Sequence, residues 1–110
     1  MIIDSHTHMA GGRSFSLAAT SGGEFLDGMD RCGIDKAIVL TTDGFFYDFV
    51  ACNDELHRFV QQHPDRLVAA PTVDPRYGDE AVAEMRRCRL DLGMKGPLKL
   101  HPWLQGFSPL

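Results

Sequence analysis

The run Ala37-Ile38-Val39-Leu40 presents no polar residue to either side of an extended backbone. A short continuous apolar stretch of this kind belongs to a strand buried on both faces, the environment of a parallel sheet covered by helices. Parallel neighbours need long crossovers, so the chain must supply helices on either side of that strand. Before it, Phe25, Leu26 and Met29 fall at helical spacing from Gly22, and Cys32-Gly33 gives the stop. The strand itself reads from Asp35 to Thr42, and Asp43 to Phe46 reads as a loop. From Tyr47 the apolar set Val50, Leu56, Phe59 and Val60 predicts a second helix that closes before His63-Pro64. Leu67-Val68-Ala69-Ala70 with Thr72-Val73 predicts a third strand, in which Pro71 is tolerated only near the end. Glu80 to Leu92 is amphipathic through Ala81, Val82, Met85, Cys88 and Leu92, and Gly93 closes it. Leu98-Lys99-Leu100-His101 predicts a fourth strand ended by Pro102. With a first strand leading to His8 and a Gly-, Ser- and Ala-rich loop from Met9 to Ser21, the order is β-α-β-α-β-α-β. Units of about 30 residues and right-handed crossovers make this an α/β chain.

Composition removes several function classes. At 110 residues the chain fits one domain, and 44% hydrophobic residues suffice for a modest core. A net charge of −4 offers no basic stripe for phosphates, so neither nucleic acid nor anionic lipid is an expected partner. No apolar run reaches the roughly 20 residues that span a bilayer, and the opening lacks the charged start and long apolar core of a signal peptide. The expectation is a soluble cytoplasmic protein. Cys32, Cys52 and Cys88 are odd in number and lack Cys-x-x-Cys spacing, which argues against disulfides and thiolate zinc sites. All three read as buried or half-buried structural thiols.

Chemistry concentrates at Asp4-Ser5-His6-Thr7-His8. Strand side chains alternate, so Ile2, Asp4, His6 and His8 share one face, and both imidazoles point the same way. Same-face positions are roughly 6.5–7 Å apart, close enough for two leaning rings to meet one ion at about 2.0–2.1 Å. His6 and His8 thus read as half of a metal site. The plain alternative is a pair of strand-end histidines without a ligand. The motif favours the metal because it ends a strand and enters a Gly-rich loop, where a (β/α) barrel keeps its active site.

Lys99 and His101 alternate with Leu98 and Leu100 and share the opposite face. Pointing inward at the strand ends, Lys99 would suit a carboxylate or a developing oxyanion. Lys99 as a snorkelling surface residue and His101 as a satisfied turn histidine stay open beside that, as does a carboxylated Lys99 bridging two metals. Asp4 either orients a ligand histidine or satisfies local polar groups, and Asp74 is expected to cap the turn with Pro75. His57 and His63 do not read as ligands, and Trp103 and Phe107, with Gln105, fall in a loop that could wall a pocket.

Ile3-Asp4-Ser5-His6-Thr7-His8, Val73-Asp74-Pro75 and the stretch from Gly96-Pro97-Leu98-Lys99-Leu100-His101-Pro102-Trp103 to Phe107 together resemble the amidohydrolase-related proteins. This is the branch of the amidohydrolase superfamily that includes aminocarboxymuconate semialdehyde decarboxylase-like enzymes. The resemblance runs in order along the whole chain. It implies a partial TIM (β/α)8 barrel with the first four parallel strands and three helices, residues 1–110 being the N-terminal half of the domain. It implies a divalent metal, zinc above all, held by His6 and His8 with a fifth-strand histidine and an eighth-strand aspartate, and makes Lys99 and His101 substrate contacts. The implied activity is a metal-dependent hydrolase, or a decarboxylase, acting through a metal-activated water on a small polar, carboxylated substrate. A full barrel needs roughly 250 residues, so a fragment or truncated product is expected. Open barrel edges would make it self-associate. An inactive truncated barrel serving assembly or binding is the alternative, and a metal-dependent phosphoesterase, which also opens on His-x-His, is disfavoured by the Lys-Leu-His-Pro-Trp segment and the acidic balance.

Overall fold

A computed structural model describes residues 1–9 and 21–108. The expected loop from Met9 to Ser21 therefore falls largely outside the described residues. Strands β1 (Ile3–His8), β2 (Lys36–Leu40) and β3 (Leu67–Ala70) form one parallel sheet in the order β1-β2-β3. Helices α1 (Gly22–Arg31), α2 (Phe49–Gln61) and α3 (Asp79–Arg86) follow them in turn. A sheet whose strands lie in sequence order takes every crossover in the same sense, so the helices collect on one face. Ala37, Val39, Leu67 and Ala69 accordingly pack with Met29 of α1 and with Leu56 and Val60 of α2. On the face without helices Ile38 and Val68 are half-buried, while Leu40 and Ala70 at the strand ends are buried. This one-sided covering distinguishes a stretch of barrel wall from a doubly wound sheet.

Local signals account for the helix ends. Ser21 and Glu24 form a reciprocal capping box at α1, Asp48 caps α2 through the Val50 and Ala51 N–H groups, and Gly33 takes φ 67° after α1. The amphipathic stretch ends where expected, at Gly93 with φ 64°, but its last part, Arg87–Asp91, is a π-helical turn. Cys52 and Cys88 are buried, whereas Cys32, the residue closing α1, is exposed, contrary to expectation.

The fourth strand is reduced to a single parallel bridge, Thr72 to Lys99. Pro71 and Pro97 have no N–H to donate ahead of the bridge, and beyond it the Gln105 side chain takes both the Val73 carbonyl and the His101 N–H, so the ladder stops at one rung. A fourth helix, α4 (Pro102–Gln105), follows where a loop was expected. Pro102 at its first position, the His101 ring as its cap and Gly106 at φ 69° explain it.

Beneath the sheet ends lies a buried polar network. Glu84 is 4% exposed and accepts hydrogen bonds from Asn53 Nδ2 (2.9 Å), the Cys88 thiol (3.1 Å) and Arg87 Nε (2.7 Å), while Arg87 also pairs with Asp54 at 2.8 Å. Burial pushes the Glu84 carboxyl up, but the bonds from Arg87, Asn53 and Cys88 together outweigh it and hold the group below its ordinary 4.5. Burial, with Glu84 beside it, pushes the Cys88 thiol up to about 12, so it stays a donor. A depressed folded pKa contributes stability in full above 4.5 and loses it as pH falls through the folded value. Glu84→Gln should cost about 1–3 kcal/mol near neutral pH, and the variant should lose less stability than the parent on acidification from neutrality. Urea unfolding followed by circular dichroism at several pH values measures both. Equal losses on acidification would remove Glu84 from the acid response.

Candidate metal centre

β1 does not keep a strict register against β2. Ile3 and Asp4 pair with Lys36 and Ala37, but Thr7 and His8 pair with Val39 and Leu40, so one extra residue is accommodated between Asp4 and Thr7. Asp4 Oδ1 accepts the His6 backbone N–H at 3.0 Å. Asp4 therefore serves the local backbone, the second of the two roles expected for it. Beyond the irregularity Thr7 Oγ1 donates to the Ile38 carbonyl at 3.0 Å and pins the strand end. His6 and His8 then project together, their Nε2 atoms 3.1 Å apart and their ring centroids 5.0 Å apart.

This spacing suits a shared ion. Two nitrogens each about 2.0–2.1 Å from one metal can stand no more than about 4.2 Å apart. Burial first, then the charges of His6 and Lys99, lower the His8 pKa below 6.5, so the ring stays in the neutral form that can donate a lone pair. His8 Nδ1 is buried and has no hydrogen-bond partner among the described residues. Among the described residues no group of three or more His, Cys, Asp or Glu side chains gathers as a metal site. The pair fits a divalent ion as two of its donors, short of the three protein ligands a catalytic zinc usually has.

Lys99 is bridged to Thr72 just beyond β3, and its charge is among those that lower the His8 pKa. Leu100 packs on the helix side against the cluster of Phe49, Val73 and Ala81, which leaves Lys99 for the opposite face. His101 stands further along, its ring 5.8 Å from that of Phe45 and its Nδ1 accepting the Leu104 N–H at 3.4 Å. It does not join the histidine pair. Asp74 takes the turn role, accepting the Arg76 N–H at 3.0 Å and pairing with its guanidinium at 2.6 Å. His57 lies within α2 and His63 beside Gly22 at the start of α1. Trp103 is 85% exposed and walls nothing among the described residues.

Sequence reasoning gave Thr72 and Asn53 no part in a site and left Gln105 in a loop that could wall a pocket. Gln105 is 1% exposed, accepts the His101 N–H at 2.8 Å and donates to the Val73 carbonyl at 2.8 Å. A polar residue on a four-residue helix gives no periodic signal.

No family model matches the sequence, and no curated protein does. Solved structures do. A 5-carboxyvanillate decarboxylase from Novosphingobium aromaticivorans, crystallised with manganese and 3-methoxy-4-hydroxy-5-nitrobenzoic acid, is 31% identical over 70% of this chain and 25% of its own, with TM-score 0.62. A 2,6-dihydroxybenzoate decarboxylase complexed with 2,6-dihydroxybenzoate is 25% identical over 72% of this chain and 28% of its own, with TM-score 0.61. The 4-oxalomesaconate hydratase of Rhodopseudomonas palustris shares the fold at 21% identity and TM-score 0.69, covering 100% of this chain and 45% of its own. The chain thus spans between a quarter and under half of the length of these structures. Parallel strands in sequence order with helices on one face, two convergent first-strand histidines and these decarboxylase relatives make the chain a partial barrel of the amidohydrolase superfamily.

Proposed function

We propose that residues 1–110 are the N-terminal half of a (β/α)8 barrel and bring the first metal donors and a carboxylate contact to a metal-dependent decarboxylase of small, carboxylated, aromatic-type acids. The observation that carries this is the 3.1 Å approach of His6 and His8 Nε2. His6 and His8 would hold a divalent ion, zinc or manganese, manganese being the metal in one relative. When bound, such an ion supplies Lewis-acid stabilisation of negative charge on substrate oxygens. Lys99 attracts the substrate carboxylate to the same end of the sheet. His101, with Nδ1 engaged by Leu104, has Nε2 for a substrate contact. Decarboxylation is favoured over hydrolysis because the relatives at 31% and 25% identity both act as decarboxylases. The open edge of β1, with Ile2 and Ile3 half exposed, is where a second copy would pair.

Benzoate titrated into the manganese-loaded chain, followed by NMR or calorimetry, tests the carboxylate contact. Lys99→Met should weaken binding about tenfold, the lower range of a charge-assisted bond. Equal binding by parent and variant would remove Lys99. No binding by either would favour an inert assembly piece.

A further inference from the structure

The segment carrying Lys99 and His101 lies along β3 with almost no ladder, as described above. Two bonds hold it at the crossing point. The Lys99 N–H donates to the Pro71 carbonyl at 2.8 Å, and Thr72 Oγ1 donates to the Lys99 carbonyl at 2.6 Å. The second is a side chain doing what a strand N–H ordinarily does.

Thr72 has little freedom to do otherwise. Its N–H donates to Asn53 Oδ1 at 3.0 Å, and its carbonyl accepts from Asn53 Nδ2 at 2.8 Å. One side-chain amide on α2 thus grips both polar groups of a single residue. Asn53 is wholly buried, and its Nδ2 also reaches Glu84, which Arg87 holds in turn. Thr72 is itself 0% exposed, and its Cγ2 methyl lies against Gly44, where a Cβ would overlap it. The hydroxyl is therefore aimed by its backbone and by the packing of its methyl. Apolar residues of equal shape can fill such a space without cost. A hydrogen-bonded chain running from α3 through α2 and the end of β3 to Lys99 adds directionality that packing does not.

We propose that Thr72, gripped by Asn53, is a positioning residue that fixes the backbone of Lys99 and so the place from which its ammonium reaches the His6–His8 end of the sheet. Its consequence for ligand binding rests on the carboxylate role proposed for Lys99; the positioning itself does not.

Thr72→Val keeps the shape and removes the hydroxyl, whereas Thr72→Ser keeps the hydroxyl and removes the methyl. Native-state hydrogen exchange of the Lys99 amide reads the positioning directly. In Thr72→Val that amide should exchange about tenfold faster and benzoate should bind about tenfold more weakly, the worth of one lost hydrogen bond. Thr72→Ser should stay within about twofold of the parent in both. Should the valine variant fail to fold, Thr72→Ala, which only deletes atoms, carries the same expectations. An unchanged Lys99 amide in the hydroxyl-free variants would overturn the proposal, as would a serine variant as impaired as valine, since the role would then be packing against Gly44. A faster Lys99 amide with benzoate binding indifferent to both Thr72→Val and Lys99→Met would uphold the positioning and overturn the carboxylate contact instead.

Discussion

The chain with both His6→Ala and His8→Ala should bind manganese or zinc at least about 100-fold more weakly than the parent. Partners that merely orient metal ligands are worth about 10–100-fold in affinity, so removal of both direct donors must exceed that range. The two Nε2 atoms stand 3.1 Å apart, within the separation that two donors to one ion allow, so binding asks little rearrangement of them. His8 is held below its ordinary pKa by burial and by the His6 and Lys99 charges, which weakens the competition of protons for that donor. Equilibrium competition with a chelator of known affinity measures the difference, and His57→Ala with His63→Ala serves as the control, because those residues lie within and just after α2. Equal affinities in the parent and the His6, His8 variant would end the metal assignment. So would a control variant that loses as much.

How much of this was visible in the sequence depended on how local the cause was. Ala37 to Leu40, Leu67 to Ala70 and the spacing of Phe25 and Met29 declare themselves through periodicity, and the structure places β2, β3 and α1 over them. The convergence of His6 and His8 was also legible, because a two-residue spacing sets a face whatever surrounds it. Asp4 was harder to place, since the extra residue after it breaks the alternation and no sequence pattern marks that irregularity. The fourth segment misled for a different reason. Leu98-Lys99-Leu100-His101 alternates as a strand should, yet Pro71 and Pro97 remove donors ahead of the bridge, and beyond it the His101 N–H and the Val73 carbonyl bond to a side chain instead of to each other. What replaces the ladder is the side chains of Thr72 and Gln105, which come from 27 residues before Lys99 and 32 residues beyond Val73. Such long-range bonds leave no trace in a local window.

The same geometry sets apart two glycines only three positions from each other. Gly93 has φ 64° and nothing within 4 Å of a would-be Cβ, so Gly93→Ala carries only the cost of a left-handed backbone, about 1 kcal/mol. Gly96 has no unusual φ, but its N–H donates to the Ala69 carbonyl at 2.9 Å, and a Cβ there would overlap that carbonyl oxygen and stand 2.8 Å from Ala69 C and Ala70 Cα. Those atoms belong to the backbone of β3, whose Leu67 and Ala69 are part of the core, and have no rotamer by which to step aside. The fourth segment must move instead, losing the Gly96 bond and drawing Lys99 away from Thr72. Gly96→Ala should therefore destabilise the chain by about 3 kcal/mol, the upper range for inserted atoms in a packed interior. Urea unfolding should show a lower midpoint at an unchanged slope, Gly93→Ala shifting by a smaller amount in the same direction. Equal shifts for the two would mean that the close approach of Gly96 to β3 is relieved without cost, and with it would go the claim that this contact seats the segment carrying Lys99 and His101.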